Sequence, residues 1–202
     1  MRTLEYRLCA LEGAHRCVVY PSGLVACAGA LLAFLAVGDH CLIPDNVYGP
    51  TRAFASRFLK RYGVETTFYD PLVGAGIEPL VRPNTKVVYV ESPGSLTFEV
   101  LDIPAIAPAA HRHGATVILD STWGTPLYFK AFVHGVDVSV QAATKYVAGH
   151  SDAMMGTVSC NAASWPALKA STAELGQTAG PDDVYLAQRG LRTIPIRLKQ
   201  HW

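Results

Sequence analysis

Charge is scarce in this sequence: charged residues make up 16% of its 202 residues and leave a formal net charge of +1. Lys and Arg are scattered, and the chain lacks the dense basic stretches that bind polyanions. A nucleic-acid partner is therefore not indicated. The length suits one large domain, or one domain and a fragment of another, and it is ample for a buried core.

The cysteines are odd in number and include no C-x-x-C pair. This arrangement indicates neither a disulfide framework nor a zinc site, and the scattered histidines also lack metal-ligand spacing. We expect no bound metal, and free, buried thiols of the kind found in a reducing cytoplasm. The five cysteines are Cys9, Cys17, Cys27, Cys41 and Cys160.

Long hydrophobic runs are also missing. The most apolar stretch, residues 24–37, is too short to span a bilayer, and we expect it to form a buried helix. The first five residues include Glu5 and are followed by no apolar run, so they do not form a signal peptide. We expect a soluble, cytoplasmic protein.

Short β-rich runs alternate with helical stretches along the chain. This alternation predicts an α/β fold with a mainly parallel sheet covered by helices. The predicted helices are residues 24–37, 51–62, 103–113, 165–175, 182–189 and a final run that reaches Trp202. The predicted strands are residues 17–20, 40–44, 64–69, 86–90, 116–119, 136–140 and 157–160.

Lys145 follows one of these predicted strands, in a segment of small and apolar residues. Burial at that position would favour the neutral amine, which is the form that reacts with a carbonyl group. The alternative is a lysine at a strand end whose charged tip reaches solvent. Composition alone leaves both interpretations open.

The residues around Lys145 carry a longer pattern, which resembles one family closely. Residues 137–138 (DV), 142–147 (AATKYV) and 149–151 (GHS) match the attachment signature of the pyridoxal-phosphate (PLP) enzymes of cysteine and methionine metabolism. That family includes cystathionine β-lyases, γ-lyases and γ-synthases. The resemblance implies PLP as the cofactor, Lys145 as its attachment residue, and the three-layer α/β/α large domain of fold-type I PLP enzymes.

Asp120 comes directly after the predicted strand 116–119 (TVIL), at the edge where open α/β folds place their ligands. An aspartate that only caps a turn is the alternative interpretation. In the family, the matching carboxylate keeps the pyridine nitrogen protonated, which lets the ring accept electrons. The family has Asn after this Asp, whereas Ser121 follows it here, a conservative change.

The turn at residues 21–24 (PSGL) leads from a predicted strand into the apolar helix. Free N–H groups at a helix start favour an anion, and a glycine allows close approach. The resemblance implies that the Gly23 and Leu24 amides and the Thr144 hydroxyl bind the cofactor phosphate. Many members have Ser where Ala142 stands, so we expect one phosphate hydrogen bond to be missing.

Tyr48 lies in a loop after the second predicted strand. An ordinary turn with an aromatic side chain is one interpretation. The resemblance implies instead that Tyr48 stacks on the pyridine ring and assists proton transfer.

The segment 90–100 (VESPGSLTFEV) resembles the cystathionine β-lyase branch, where many γ-type members read E-S-P-x-N-P. The implied reaction is β-elimination of cystathionine to homocysteine, pyruvate and ammonia. A γ-synthase or γ-lyase, and a truncated non-catalytic PLP-binding fragment, remain alternatives.

The family pattern extends beyond this chain at both ends. Members carry an N-terminal arm that reaches a neighbouring subunit and a C-terminal domain that binds the substrate carboxylate, and they are tetramers. The predicted organisation is therefore a PLP-binding domain at residues 1–190 and the start of a linker helix at 191–202. We expect a fragment that forms a homo-oligomer and acts on a small amino acid, with no membrane partner.

Overall fold

The computed structural model describes residues 1–201, and Trp202, the end of the last predicted helix, lies outside the described residues. Its centre is a seven-stranded sheet in the order β1-β7-β6-β5-β4-β2-β3. The strands are β1 (Arg16–Tyr20), β2 (His40–Pro44), β3 (Glu65–Tyr69), β4 (Thr85–Glu91), β5 (Thr116–Asp120), β6 (Val138–Gln141) and β7 (Gly156–Cys160).

Five neighbouring strands, β6, β5, β4, β2 and β3, are parallel. Strand β7 is antiparallel to both of its neighbours, β6 and β1. Strand β1 consequently runs in the same direction as the parallel set, and the carboxyl ends of six strands meet at one edge. The prediction of a mainly parallel sheet is confirmed.

Helices cover both faces of the sheet. A π-helical segment (Phe54–Leu59) continues α3, and two 3-10 helices lie at Gly74–Leu80 and Ala131–His134. The α-helices are α1 (Arg2–Glu12), α2 (Gly23–Phe34), α3 (Gly49–Ala53), α4 (Ile103–Arg112), α5 (Thr125–Tyr128), α6 (Trp165–Glu174), α7 (Pro181–Leu191) and α8 (Ile194–His201).

Alternate residues of the central strands pack into two separate hydrophobic cores, one on each face of the sheet. In β4, Val87 and Tyr89 pack on the face that α2 covers, whereas Val88 and Val90 pack on the face that α4 covers. This two-residue alternation is intrinsic to a strand, and both faces are apolar because both are buried. A third apolar cluster joins α1, α7 and α8 to the side of β1 and β7.

No helix within residues 1–201 combines the length and the apolar character needed to cross a membrane. The apolar run at 24–37 forms α2, which ends at Phe34 and contributes Cys27, Ala30 and Leu31 to the core. All five cysteines are free, and all but the half-buried Cys9 are buried, as expected.

Candidate active site

The predicted site residues follow different strands but lie at the same sheet edge. Gly23 follows β1, Tyr48 follows β2, Asp120 ends β5 and Lys145 follows β6. Because these four strands run in one direction, their carboxyl ends open onto one side of the molecule. This is the edge at which open α/β sheets bind ligands.

Helix α2 begins at this edge, directly after β1. Ser22 caps it, since the Ser22 Oγ accepts a hydrogen bond from the Val25 amide at 3.2 Å. Gly23 and Leu24 occupy the first turn, where amides have no intrahelical partner and the helix dipole favours an anion. A Cβ on Gly23 would lie 2.7 Å from the Cβ of Ala142, so the helix starts against the segment that carries Lys145.

The Thr144 hydroxyl is engaged with the segment that leads into β7. Its Oγ1 donates to the Met155 carbonyl at 3.1 Å and accepts from the Met155 amide at 2.9 Å. These bonds tie the Lys145 segment to the sheet. Donation from Thr144 to a phosphate requires its proton to turn away from Met155, and this role stays a prediction.

Asp120 is a buried carboxyl group with neutral hydrogen-bond donors. Its Oδ1 accepts from the Thr122 amide at 3.0 Å and from the Thr122 hydroxyl at 2.6 Å, and Cys27 Sγ lies 3.6 Å from Oδ2. Burial raises the pKa of Asp120 above its usual range. The Thr122 Oγ1 in turn accepts from the Ala142 amide at 2.8 Å, which links Asp120 to the Lys145 segment.

Glu91, the last residue of β4, is the register partner of Asp120 on β5. Paired residues of parallel strands point to the same face, so the two buried carboxyl groups are neighbours. Burial, and then the Asp120 charge, raise the pKa of Glu91 to about 7. Among residues 1–201, neither acid forms an ion pair. We call Glu91 and Asp120 the acid pair.

The sequence interpretation used Glu91 only as part of a subfamily pattern and missed its place in the site. The available signal was the one that identified Asp120: an acid directly after a run of apolar strand residues, here 87–90. What the sequence lacks is the register that sets β4 beside β5.

Tyr48 is held by its backbone while its side chain is exposed. The Tyr48 amide donates to Glu91 Oε2 at 2.8 Å. In the same loop, Asn46 Nδ2 donates to Glu99 Oε2 at 2.8 Å, and the Ser95 amide donates to the Asn46 carbonyl at 3.0 Å. The loops after β2 and β4 therefore fix the position of Tyr48 together.

Lys145 is exposed in this chain, which agrees with the second of the two interpretations that the sequence left open, a lysine at a strand end whose tip reaches solvent. The segment after β6 turns inward with Ala143, Val147 and Ala148, which are buried, and this leaves Lys145 facing outward. The Lys145 amide donates to the Ala142 carbonyl at 2.9 Å, and the Gly149 amide donates to the Lys145 carbonyl at 2.7 Å. These bonds hold the turn that presents the side chain at the edge.

Two buried polar atoms near this edge have no hydrogen-bond partner among the described residues: Asn46 Oδ1 and Ser121 Oγ. Ser121 follows Asp120, and Asn46 lies two residues before Tyr48. Buried polar atoms of this kind are rare and call for an explanation such as a ligand or water. Residues 1–201 contain no group of three or more His, Cys, Asp or Glu side chains placed to hold a metal ion.

Known proteins resemble this chain over nearly all of its length. A Rhizobium johnstonii protein named putative cystathionine beta-lyase is 54% identical over 193 residues, which are 96% of this chain and 49% of that protein. Cystathionine beta-lyase MetC of Escherichia coli is 46% identical over 201 residues, 98% of this chain and 51% of MetC.

A solved structure has the same fold. The crystal structure of metB from Corynebacterium glutamicum matches with a TM-score of 0.92 and 29% identity, over 96% of this chain and 50% of that one. This likeness confirms the predicted fold class. The chain spans about half the length of the curated relatives it matches.

The family model for the Cys/Met metabolism PLP-dependent enzymes matches residues 1–202. The resemblance found around Lys145 thus extends over the entire sequence. The chain belongs to the family of Cys/Met metabolism PLP-dependent enzymes.

Proposed function

We propose that this chain supplies the cofactor-binding part of a PLP-dependent carbon–sulfur lyase. The proposed reaction cleaves L-cystathionine by β-elimination and gives homocysteine, pyruvate and ammonia, with one water consumed. The observation that carries the proposal is the high identity to proteins named cystathionine beta-lyase across nearly the whole chain. The family model matches residues 1–202, a range that contains Tyr48, Asp120 and Lys145.

The residues at this edge fit the chemical groups of PLP. Asp120 is a buried acid with neutral donors and no cationic partner, an arrangement that costs free energy unless a positive charge is supplied. A protonated ring nitrogen would supply that charge. The first turn of α2, at Gly23 and Leu24, offers amides to the phosphate, and Lys145 offers an exposed primary amine to the aldehyde.

Bound PLP withdraws electrons from the α-carbon of an amino-acid substrate. In the proposed reaction, Lys145 would hold the cofactor until the substrate amine displaces it, and its freed amine would then take the Cα proton and return a proton to the departing sulfur. Asp120 keeps the ring nitrogen protonated, and Tyr48 covers the ring and assists proton transfer. The Gly23 and Leu24 amides, with the Thr144 hydroxyl, hold the phosphate.

We further propose that the active protein is a homo-oligomer, a tetramer as in the family. Lys145 and Tyr48 are exposed in the single chain, whereas proton transfer by an amine is favoured where water is excluded. A neighbouring subunit packed over this edge would provide that exclusion.

The first test is the visible absorption spectrum of the purified chain after addition of PLP and removal of excess cofactor. A lysine-bound cofactor absorbs in the visible range, so we expect a yellow protein. Lys145→Ala should be colourless, while Lys169→Ala, a change of an exposed lysine on α6, should stay yellow. Colour that persists in Lys145→Ala would disprove the attachment site.

The second test separates the β-elimination from γ-type reactions. Cystathionine is added to the PLP-loaded protein, and the keto-acid product is identified. Pyruvate is the product expected of β-elimination, whereas 2-oxobutyrate would assign the protein to a γ-lyase reaction. Colour without either product would identify the chain as a PLP-binding fragment that does not catalyse this cleavage.

A further inference from the structure

We propose that Glu91 is a positioning residue of the cofactor site: it holds a proton beside an ionised Asp120 and fixes the backbone of Tyr48. This inference rests on the proposed function, which it deepens. It assigns a role to a buried acid that is not expected to touch the substrate. Three features of the structure support it, namely the register of the strands, the contacts of the two acids and the charges around them.

The register places the acid pair side by side. Glu91 ends β4 and Asp120 ends β5, and the two residues are paired in the parallel ladder. Both are almost fully buried, at 3% and 7% exposure. Ionising both carboxyl groups in such a position is unfavourable in free energy, because the two negative charges repel each other. One proton held by the pair removes that cost.

The contacts of the two acids differ in how well they accommodate a proton. Asp120 receives the Thr122 amide and hydroxyl at Oδ1 and faces the Cys27 thiol at Oδ2, which suits an ionised acceptor. Glu91 Oε1 meets the Ser95 hydroxyl at 2.6 Å. A hydroxyl can both donate and accept a hydrogen bond. When Glu91 is protonated, its own O–H can therefore donate to the Ser95 hydroxyl, and the contact is kept.

The surroundings add only neutral groups to the pair. The titratable side chains that face Glu91 are Asp120 from β5, Cys27 from α2, and Tyr89 on its own strand. Burial raises the pKa of Cys27 and of Tyr89 well above their usual values, so both are uncharged at neutral pH. The pair therefore carries a single negative charge, which lies on Asp120 and is available to a cationic ring nitrogen.

The same side chain anchors Tyr48. Glu91 Oε2 accepts from the Tyr48 amide at 2.8 Å, and Oε1 binds Ser95 in the loop after β4. One residue thus joins the loop that carries the aromatic ring to the strand beside Asp120. A glutamine would preserve both contacts without a charge, whereas an alanine would remove them.

A carboxyl-carbon NMR titration of the cofactor-free chain tests the shared proton. We expect Glu91 to titrate with a midpoint of about 7, and Asp120→Asn to lower that midpoint by on the order of one pH unit, since it removes the neighbouring charge. Glu65→Gln, a change of an exposed acid on β3, should leave the midpoint unmoved. A Glu91 midpoint near its ordinary value of 4.5 overturns the inference, as does a midpoint that Asp120→Asn does not lower.

Hydrogen exchange tests the anchor. The Tyr48 amide should exchange slowly in the unmodified chain and in Glu91→Gln, and at least tenfold faster in Glu91→Ala, while amides of β5 keep their protection. Unchanged protection of Tyr48 in Glu91→Ala contradicts the anchoring role. General loss of protection would instead report unfolding of that variant, and Glu91→Leu, which fills the same volume without a hydrogen-bond acceptor, then makes the same comparison.

The visible spectrum of the PLP-loaded chain provides a measurement that would not change if Glu91 had only a structural role. The pH at which its visible spectrum changes should shift in Glu91→Gln, because glutamine cannot release the proton that Glu91 loses above a pH of about 7, and it should stay in Glu65→Gln. An unshifted transition in Glu91→Gln counts against the inference. The NMR titration needs no cofactor, so it tests the shared proton separately from PLP binding. A Glu91 midpoint near 4.5 refutes the shared proton even when PLP binds. Failure to bind PLP refutes the proposed function and leaves the result of the titration standing.

Discussion

Glu12 at the end of α1 and Glu91 at the end of β4 are both buried glutamates whose pKa is raised to about 7, chiefly by burial. Their settings differ. Glu12 is a single acid whose donors both come from β6: Ser139 Oγ at 3.3 Å and the Gln141 amide. Glu91 has a second acid beside it, and its donors come from two loops at the carboxyl edge.

The comparison shows that a raised pKa alone does not identify a functional acid. Glu12 is enclosed between α1 and the sheet and is satisfied by an amide and a hydroxyl, which is how a structural polar group is accommodated. The acid pair lies where Tyr48, Lys145 and the start of α2 converge, next to the unpartnered Ser121 Oγ. The acid beside Glu91 and its bond to the loop that carries Tyr48 separate the two.

The largest expected effect concerns Glu12 and stability. Its folded pKa of about 7 lies above its ordinary value of 4.5, so the folded chain holds the proton more tightly than the unfolded chain. The contribution of Glu12 to the free energy of unfolding should therefore be greatest below pH 4.5 and be lost, by roughly 3 kcal/mol, as the pH rises through 7. Urea denaturation at pH 4.5 and pH 8 should show a fall that is smaller in Glu12→Gln by this amount, while the part due to Glu91 remains. An equally steep fall in Glu12→Gln would contradict the enclosed setting.

The next effect concerns cofactor affinity and should distinguish the two regions. If Asp120 has the proposed role, Asp120→Asn would remove a charged hydrogen bond to the ring nitrogen, which is worth roughly 2 kcal/mol, or about thirtyfold in the Kd for PLP. Glu12→Gln should change that Kd by less than about twofold. Equilibrium titration of PLP measures both variants. Equal losses in the two variants would remove the functional distinction between the regions.

A smaller effect on stability and PLP affinity should distinguish two glycines, Gly23 at the candidate active site and Gly13 beside Glu12 at the end of α1. Gly23→Ala should lower the free energy of unfolding by roughly 1–2 kcal/mol and also weaken PLP binding, because the new Cβ meets the Ala142 Cβ at 2.7 Å. Gly13→Ala, after α1, meets no atom within 4 Å but has a φ of 72°. It should cost about 1 kcal/mol by backbone strain alone and leave PLP affinity unchanged. Thermal denaturation and PLP titration of the two variants make the comparison.

The strands were the most predictable part of the fold. Strand β2 occupies the predicted residues 40–44, β4 is longer than predicted by one residue at each end, and β7 is longer by one residue at its start. The parallel strands β2 and β4 were predictable because buried parallel strands are continuous apolar runs. Helix α1 was not predicted. Its fully buried positions are Leu4, Leu8 and Glu12, and because one of these three is an acid, the periodic apolar signal is weak.

The site was predictable as a set of residues but not as an arrangement. The family pattern around Lys145 and the strand-end position of Asp120 are visible in the sequence. The exposure of Lys145 depends on which neighbours of the turn pack inward, here Ala143 and Val147. The acid pair depends on the strand order that puts β4 beside β5. Both are consequences of long-range packing that local patterns do not encode.

The smallest expected effect is a gain. Ala142 lies against the start of α2 and occupies the position where many family members have serine, so Ala142→Ser should add a hydroxyl donor for the cofactor phosphate. One such hydrogen bond is worth about 1 kcal/mol, or about fivefold in the Kd for PLP. Equilibrium titration of PLP against the variant measures this gain.

The matched variant in the other region is Ser139→Ala, which removes a hydroxyl from Glu12. It should lower the free energy of unfolding by about 1 kcal/mol and leave the Kd for PLP unchanged. A gain in affinity that appears only in Ala142→Ser would place the phosphate at the start of α2. Unchanged affinity in Ala142→Ser would mean that the hydroxyl cannot reach the phosphate from this position, and the first turn of α2 would lose its assigned role.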